Sequence, residues 1–156
     1  MRVAIAGAAG RMGRMLVEAV LESGDLKLVA ALEAAGNAAL GKDAGESAGT
    51  PCGVSISADL ALLTGADCLI DFTRPDGTLA HLERCAAAGT KMVIGTTGFS
   101  PEEKRRIAEA SKRIGIVFAP NMAVGVNATF KLAEVAARIL GDARARHRRA
   151  ARARAR

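Results

Sequence analysis

The chain has 156 residues, half of them apolar, with three cysteines, two histidines, no Trp and no Tyr. That is the composition of one ordinary soluble domain with a buried core, and no apolar run approaches the roughly 20 residues that span a bilayer. The net charge of +6 is local: residues 143 to 156 hold seven arginines and no acid, which leaves a body of net −1 and no electrostatic reason to expect nucleic acid as a partner except through that basic end.

Met1-Arg2 leads directly into an apolar run, Val3 to Ala6, which argues against a signal peptide. The run reads as a first buried strand. It enters a glycine turn, Gly7-Ala8-Ala9-Gly10-Arg11-Met12-Gly13, that opens a helix from Arg11 to Glu22. Gly7 permits the tight turn, Gly10 lets the backbone approach a bulky anion, and Gly13 lets helix and strand pack closely. The helix start offers free N–H groups and a positive dipole end, so the pattern suits a dinucleotide pyrophosphate.

Leu26 to Leu32 reads as the second strand, and Ala34 to Gly53 as a mobile Gly/Ala-rich loop. A short strand is expected at Val54–Ser57 and a short helix at Asp59–Leu63, before a buried strand at Cys68–Phe72. Pro75 suits a first helical turn, and that helix should run to Ala88 ahead of Gly89. Lys91–Ile94 is the next strand. Ser100-Pro101-Glu102-Glu103 is a strong helix start, and that helix should end near Gly115. Ile116–Ala119 is a further strand and Asn127–Leu140 a last helix. Strands alternating with helices imply a doubly wound parallel sheet covered on both faces, a Rossmann-type α/β fold.

Open sheets of this kind bind ligands beyond the carboxyl ends of their strands. Glu33 stands there, twenty residues after Gly13, where an acid accepts hydrogen bonds from the hydroxyls of an adenosine ribose. Asp71-Phe72-Thr73-Arg74-Pro75, Gly95-Thr96-Thr97-Gly98 and Ala119-Pro120-Asn121-Met122 leave later strands in the same direction. His81 falls mid-helix, away from the strand ends, and reads as a structural histidine. Cys52, Cys68 and Cys85 are widely spaced with no C-x-x-C pair. They read as small core residues, reduced in a cytoplasmic protein, with no metal site.

Together these strings resemble the 4-hydroxy-tetrahydrodipicolinate reductase (dihydrodipicolinate reductase) family. The resemblance rests on Ile5 through Gly13, Asp71 to Pro75, Val93 to Phe99 and Asn121 to Asn127, and covers residues 1 to 142. It implies an oxidoreductase of lysine and diaminopimelate biosynthesis that uses NADH or NADPH to reduce a cyclic dicarboxylate, with loss of water from the 4-hydroxy form. It also implies roles. Gly7, Ala8, Ala9, Gly10, Arg11 and Met12 would hold the pyrophosphate, and Glu33 the adenosine ribose. Gly95, Thr96 and Thr97, with Ala119, Pro120, Asn121 and Met122, would line the nicotinamide side, and Phe72 and Thr73 would lie nearby.

Two departures qualify the resemblance. Many relatives carry an arginine after the ribose acid, where it pairs with the 2′-phosphate of NADPH; here that residue is Ala34. An acid without that arginine disfavours the phosphate, so NADH should be preferred, by no more than tenfold if Arg11 compensates. Second, the family's proton-donating His-His-Arg-His-Lys run, its carboxylate clamp and its tetramer interface belong to a second domain with no match here. His147-Arg148-Arg149 echoes that run only superficially. No catalytic residue is therefore assigned, the family homotetramer is not expected of these residues, and some apolar surface should be exposed. Residues 1–142 read as the dinucleotide-binding domain and 143–156 as a disordered Arg/Ala-rich tail. That tail is compatible with a frameshifted or truncated gene, a genuine basic arm, or an inert end. A non-catalytic NAD(P)-binding or sensing domain is the alternative function.

Overall fold

The structure, a computed structural model, describes residues 1–154, and side chains as far as residue 141. The chain forms two compact units, Met1–Pro120 and Asn121–Arg156. The first alternates β1 (Arg2–Ala6), α1 (Arg11–Glu22), β2 (Lys27–Leu32), β3 (Ile56–Ser57), β4 (Cys68–Asp71), α2 (Pro75–Ala88), β5 (Lys91–Ile94), α3 (Pro101–Ala110) and β6 (Ile116–Phe118). The strands form one sheet in the order β3-β2-β1-β4-β5-β6, and every pairing is parallel. This is the doubly wound order whose direction reverses beside β1. The reversal lies between β1 and β4, so their carboxyl ends frame a crevice.

Side-chain alternation along β1 builds a core on each face of the sheet. Val3 and Ile5 pack with Val17 and Val20 of α1 and with Leu28 and Ala31 of β2. Ala4 and Ala6 point the other way, toward Leu79, Leu82 and Cys85 of α2, Met92 and Ile94 of β5 and Ile107 of α3. The register between β1 and β2 slips between Val3 and Ala4, where Val3 faces Leu28 but Ala4 faces Ala30. Val29 is thus an extra residue in β2, a bulge of the kind rarely seen in parallel pairs. Burial of the Cys85 thiol, with the Asp71 carboxylate near it, pushes it up to about 12, in keeping with a thiol that serves as packing.

Ser100 caps α3 as its sequence implied: its hydroxyl accepts the Glu103 N–H, and Glu103 accepts the Ser100 N–H in return. The helix ends at Ala110, short of Gly115. Ser111 to Ile114 instead make tight turns, with the Ile114 N–H on the Ala110 carbonyl, because the chain must reverse before Gly115 accepts the Met92 N–H beside β6.

The segment expected to be a mobile loop is organised around one carboxylate. Asp43 accepts the N–H groups of Gly45, Cys52 and Gly53 and the Cys52 thiol. Those bonds, Cys52's backbone N–H first, hold its carboxyl below the usual carboxylate range despite the opposing cost of partial burial. A 3-10 turn at Glu46–Ala48 follows within the loop. Side chain–backbone bonding of this kind leaves no hydrophobic period to read.

The second unit consists of a short lead-in and α4, Val124–Arg154. Asn121 turns the lead-in by accepting the Ala123 N–H, which starts the helix three residues before the expected Asn127. The helix also continues past Leu140. Its apolar residues Phe130, Leu132, Ile139 and Leu140 are exposed. Where disorder was expected from residue 143, the backbone through residue 154 continues α4; residues 155 and 156, and the side chains from 142, lie outside the described residues. No helix among the described residues is long and apolar enough to cross a membrane.

Candidate functional site

The glycine turn is shaped chiefly by backbone hydrogen bonds. The Gly7 and Ala8 N–H groups both bond the Leu32 carbonyl at the end of β2, and the Gly10 N–H returns to the Gly7 carbonyl. Gly7 has φ +74°, and a side chain at Gly13 would bring its Cβ to 2.0 Å from the Gly7 oxygen. Neither position admits another residue without movement of the backbone. Gly10 provides no side-chain cap to α1, whose first turn contains no acid. The free N–H groups of that turn are therefore left for an external anion, with the exposed Arg11 and Met12 beside them.

Glu33 joins this turn to the end of β2. Its Oε2 accepts the Ala9 N–H at 3.1 Å, and its Oε1 accepts the N–H of Ala34 at 3.0 Å. A carboxylate held by two amides keeps lone pairs available for hydroxyl donors.

The opposite wall rests on Asp71, wholly buried at the end of β4. Its Oδ1 lies 3.0 Å from the Thr73 N–H, 2.7 Å from the Thr73 hydroxyl, and 3.1 and 3.3 Å from the hydroxyls of Thr78 and Thr96. Its Oδ2 lies 2.7 Å from Nδ1 of His81. Burial alone would raise this carboxyl, but the bonds from His81 and Thr73 outweigh it and hold it below the ordinary range. Thr96 also accepts the Thr73 N–H at 3.0 Å. One carboxylate thus ties the loop after β4, the loop after β5 and α2 together. Phe72 completes the wall: its ring occupies the space a Gly95 side chain would need, with ring carbons 2.1 Å from an ideal Cβ.

Between the two walls lies an open cavity of about 550 Å³. It is lined by Gly7, Gly10, Leu32, Glu33, Ala34, Phe72, Thr73, Arg74, Asp76, Gly77 and His81. Five of the expected site residues meet here: Gly7, Gly10, Glu33, Phe72 and Thr73. Ala8 and Ala9 line a smaller hollow with Arg14 and Lys42. Thr96 is buried and its hydroxyl is committed to Asp71 and Thr73, whereas Thr97 is exposed and Gly95 half-buried. Ala119 and Pro120 follow β6, and the Ala119 N–H bonds the Ile94 carbonyl. Asn121 and Met122 open the second unit.

His81 departs from its reading as a structural histidine remote from the strand ends, because it lines this cavity. The first turns of α2 lie over the end of β4. Thr78 and His81, at helical spacing, both turn toward Asp71. An acid closing a strand, followed ten residues later by a histidine on one face of the next helix, was the available signal.

A family model described as dihydrodipicolinate reductase, N-terminus, matches residues 1–122. The chain belongs to the dihydrodipicolinate reductase family. It is 57% identical over 141 residues to the 4-hydroxy-tetrahydrodipicolinate reductase of Bordetella parapertussis, covering 90% of this chain and 52% of that protein. It is 62% identical over 141 residues to the corresponding protein of Cupriavidus pinatubonensis, covering 90% and 53%. Among solved structures, the dipicolinate-bound dihydrodipicolinate reductase of Paenisporosarcina sp. TG-14 matches with a TM-score of 0.71 at 31% identity, over 88% of this chain and 53% of that one. An amine dehydrogenase from Mycobacterium smegmatis, at 22% identity and TM-score 0.61, shares the fold. The chain spans about half the length of the curated family members it matches.

Proposed function

We propose that these residues form the nicotinamide-dinucleotide half of a 4-hydroxy-tetrahydrodipicolinate reductase, an NAD(P)H-dependent oxidoreductase of lysine and diaminopimelate biosynthesis acting on a small dicarboxylate. The observation that carries the reading is Glu33, bonded to the glycine turn at Ala9 and facing the crevice between β1 and β4. Gly7 and Gly13 supply the test of fit. Side chains there would strain or displace the turn, and with it the free amides of the helix start that suit an anion.

The bound dinucleotide supplies the hydride. The chain's residues hold and orient it. The turn from Gly7 to Met12 takes the pyrophosphate through the free amides that begin α1, those of Arg11 and Met12, with the Arg11 side chain adding charge at the rim. Glu33 takes the ribose hydroxyls. Gly95, Thr96 and Thr97, with Ala119 and Pro120, take the nicotinamide end. Phe72 and Thr73 form the wall between. Thr96 acts through the backbone of its loop, since its hydroxyl is engaged. These sites suit a cytoplasmic enzyme that draws on the free cofactor pool.

Fluorescence titration with NADH and NADPH tests the reading. With Ala34 after Glu33, NADH should bind more tightly, by no more than about tenfold because Arg11 offsets part of the repulsion. Tighter NADPH binding overturns that preference. For the 156-residue polypeptide, binding should occur without turnover of freshly generated substrate, because its sequence has no match to the family's proton donor or carboxylate clamp. Turnover by this polypeptide would show that its own residues supply both. Failure to bind either cofactor would defeat the proposal.

A further inference from the structure

Asp71 and Thr96 are both buried, at the foot of the loop that follows β5. The Thr96 hydroxyl accepts twice, from the Thr73 N–H at 3.0 Å and from the Thr78 hydroxyl at 2.9 Å. Its one hydrogen then goes to Oδ1 of Asp71, 3.3 Å away. That carboxyl is held ionised by its other bonds, so it can only accept. The contact is long, and the charge on its acceptor compensates. The charge also gives the hydroxyls a single direction, from Thr78 to Thr96 to Asp71.

Asp71 grips the same loop a second time, because its backbone carbonyl accepts the Gly95 N–H at 2.9 Å. The Phe72 ring closes the space beside Gly95. Further along, Phe99 is buried, and its ring meets that of Phe118 edge-on with centroids 5.5 Å apart. Thr97 and Gly98 are thus an exposed two-residue span between fixed ends, with Gly98 turning the chain at φ +91°. So short a span keeps little freedom once its ends are set, and the seat of Thr96 decides where Thr97 points. We propose that Asp71 is a positioning residue for the nicotinamide end of the site, acting through Thr96 to hold the Gly95–Gly98 loop so that it presents Thr97 to the nicotinamide ring. The inference rests on the dinucleotide reading above and deepens it.

Thr96→Val keeps the side-chain shape and removes the hydroxyl. It leaves neither donor stranded, since the Thr73 N–H and the Thr78 hydroxyl still reach Asp71 at 3.0 and 3.1 Å. The test is a calorimetric titration of the 156-residue chain with NADH and with ADP-ribose, which ends where the nicotinamide ring would begin. The native chain should bind NADH about tenfold more tightly, the worth of one or two hydrogen bonds to the ring. In Thr96→Val that ratio should fall to within about twofold of unity, through weaker binding of NADH alone. Asp71→Ala should lower the ratio as far, and the double variant no further, because the two residues act as one unit. Thr78→Val leaves the bond from Thr96 to Asp71 in place and should keep the ratio. A general loosening of any variant cancels in it. Should Asp71→Ala fail to fold, Thr96→Val against Thr78→Val decides. A preference that survives Thr96→Val, or that Thr78→Val loses equally, would overturn the assignment and leave the cofactor reading standing. A native ratio near unity would overturn the assignment together with the nicotinamide end of that reading. Binding of neither NADH nor ADP-ribose would defeat both entirely.

Discussion

The two walls of the cavity are built by opposite means. The glycine turn after β1 is mainly backbone: the amides of Gly7, Ala8 and Gly10 bond the carbonyls of Leu32 and Gly7, Glu33 and Arg14 add side-chain bonds only at Ala9, and its shape depends on side chains being absent at Gly7 and Gly13. The wall after β4 is mainly side chain, with the side chains of four residues converging on the buried Asp71. A backbone cradle is rigid and indifferent to chemistry beyond the sign of charge, which suits a pyrophosphate. A side-chain hub fixes donors and acceptors individually, which suits setting the geometry of a loop.

Replacing Asp71 should have the largest effect. Asp71→Ala leaves His81 and three threonines facing an apolar gap, and should cost ~3–5 kcal/mol of stability, read as the shift in a urea midpoint. Acid should expose the same group. Its folded carboxyl lies below the ordinary range, so its contribution is complete above the unfolded value of about 3.9. That contribution is lost as pH falls through the folded value. In Asp71→Asn this part of the acid limb should vanish; an unchanged acid limb would mean that the hub is not ionised. Gly13→Ala comes next, since its Cβ would meet the Gly7 oxygen. It should cost about 2–3 kcal/mol and abolish measurable NADH binding, because a displaced turn no longer aims its amides. If Gly13→Ala is destabilised but still binds NADH, the backbone cradle is not the anchor proposed. Thr78→Val should be mildest. It removes one donor among several and should cost about 1 kcal/mol, with NADH affinity held within twofold if the hub tolerates the loss of one spoke.

The same contrast explains what the sequence made legible. A backbone device announces itself, because only glycine serves at φ +74° or where a Cβ would strike a carbonyl, and Gly7 and Gly13 are visible as letters. Glu33 was legible by its distance from that turn. The Ser100 capping box was legible because its partners lie three residues apart. The hub was not, since Asp71, Thr78, His81 and Thr96 meet only after β4, α2 and β5 have packed. His81 was misplaced for that reason: its helical position was correct, but the direction of α2 over the strand end is a tertiary fact. The Asp43 loop was missed because its order comes from a carboxylate gathering amides across ten residues, which leaves no periodic trace.

The extra residue at Val29 has a consequence for anyone editing this domain. It divides β2 into two phases. Leu28 and Ala31 face the α1 side, while Ala30 and Leu32 face the other, and the odd-numbered phase that holds Ala31 carries Glu33 to the side of the glycine turn. Deleting residue 29 would not merely shorten the strand. It would force either Leu28 or Glu33 to the wrong face, so the position of Glu33 depends on a count made four residues upstream.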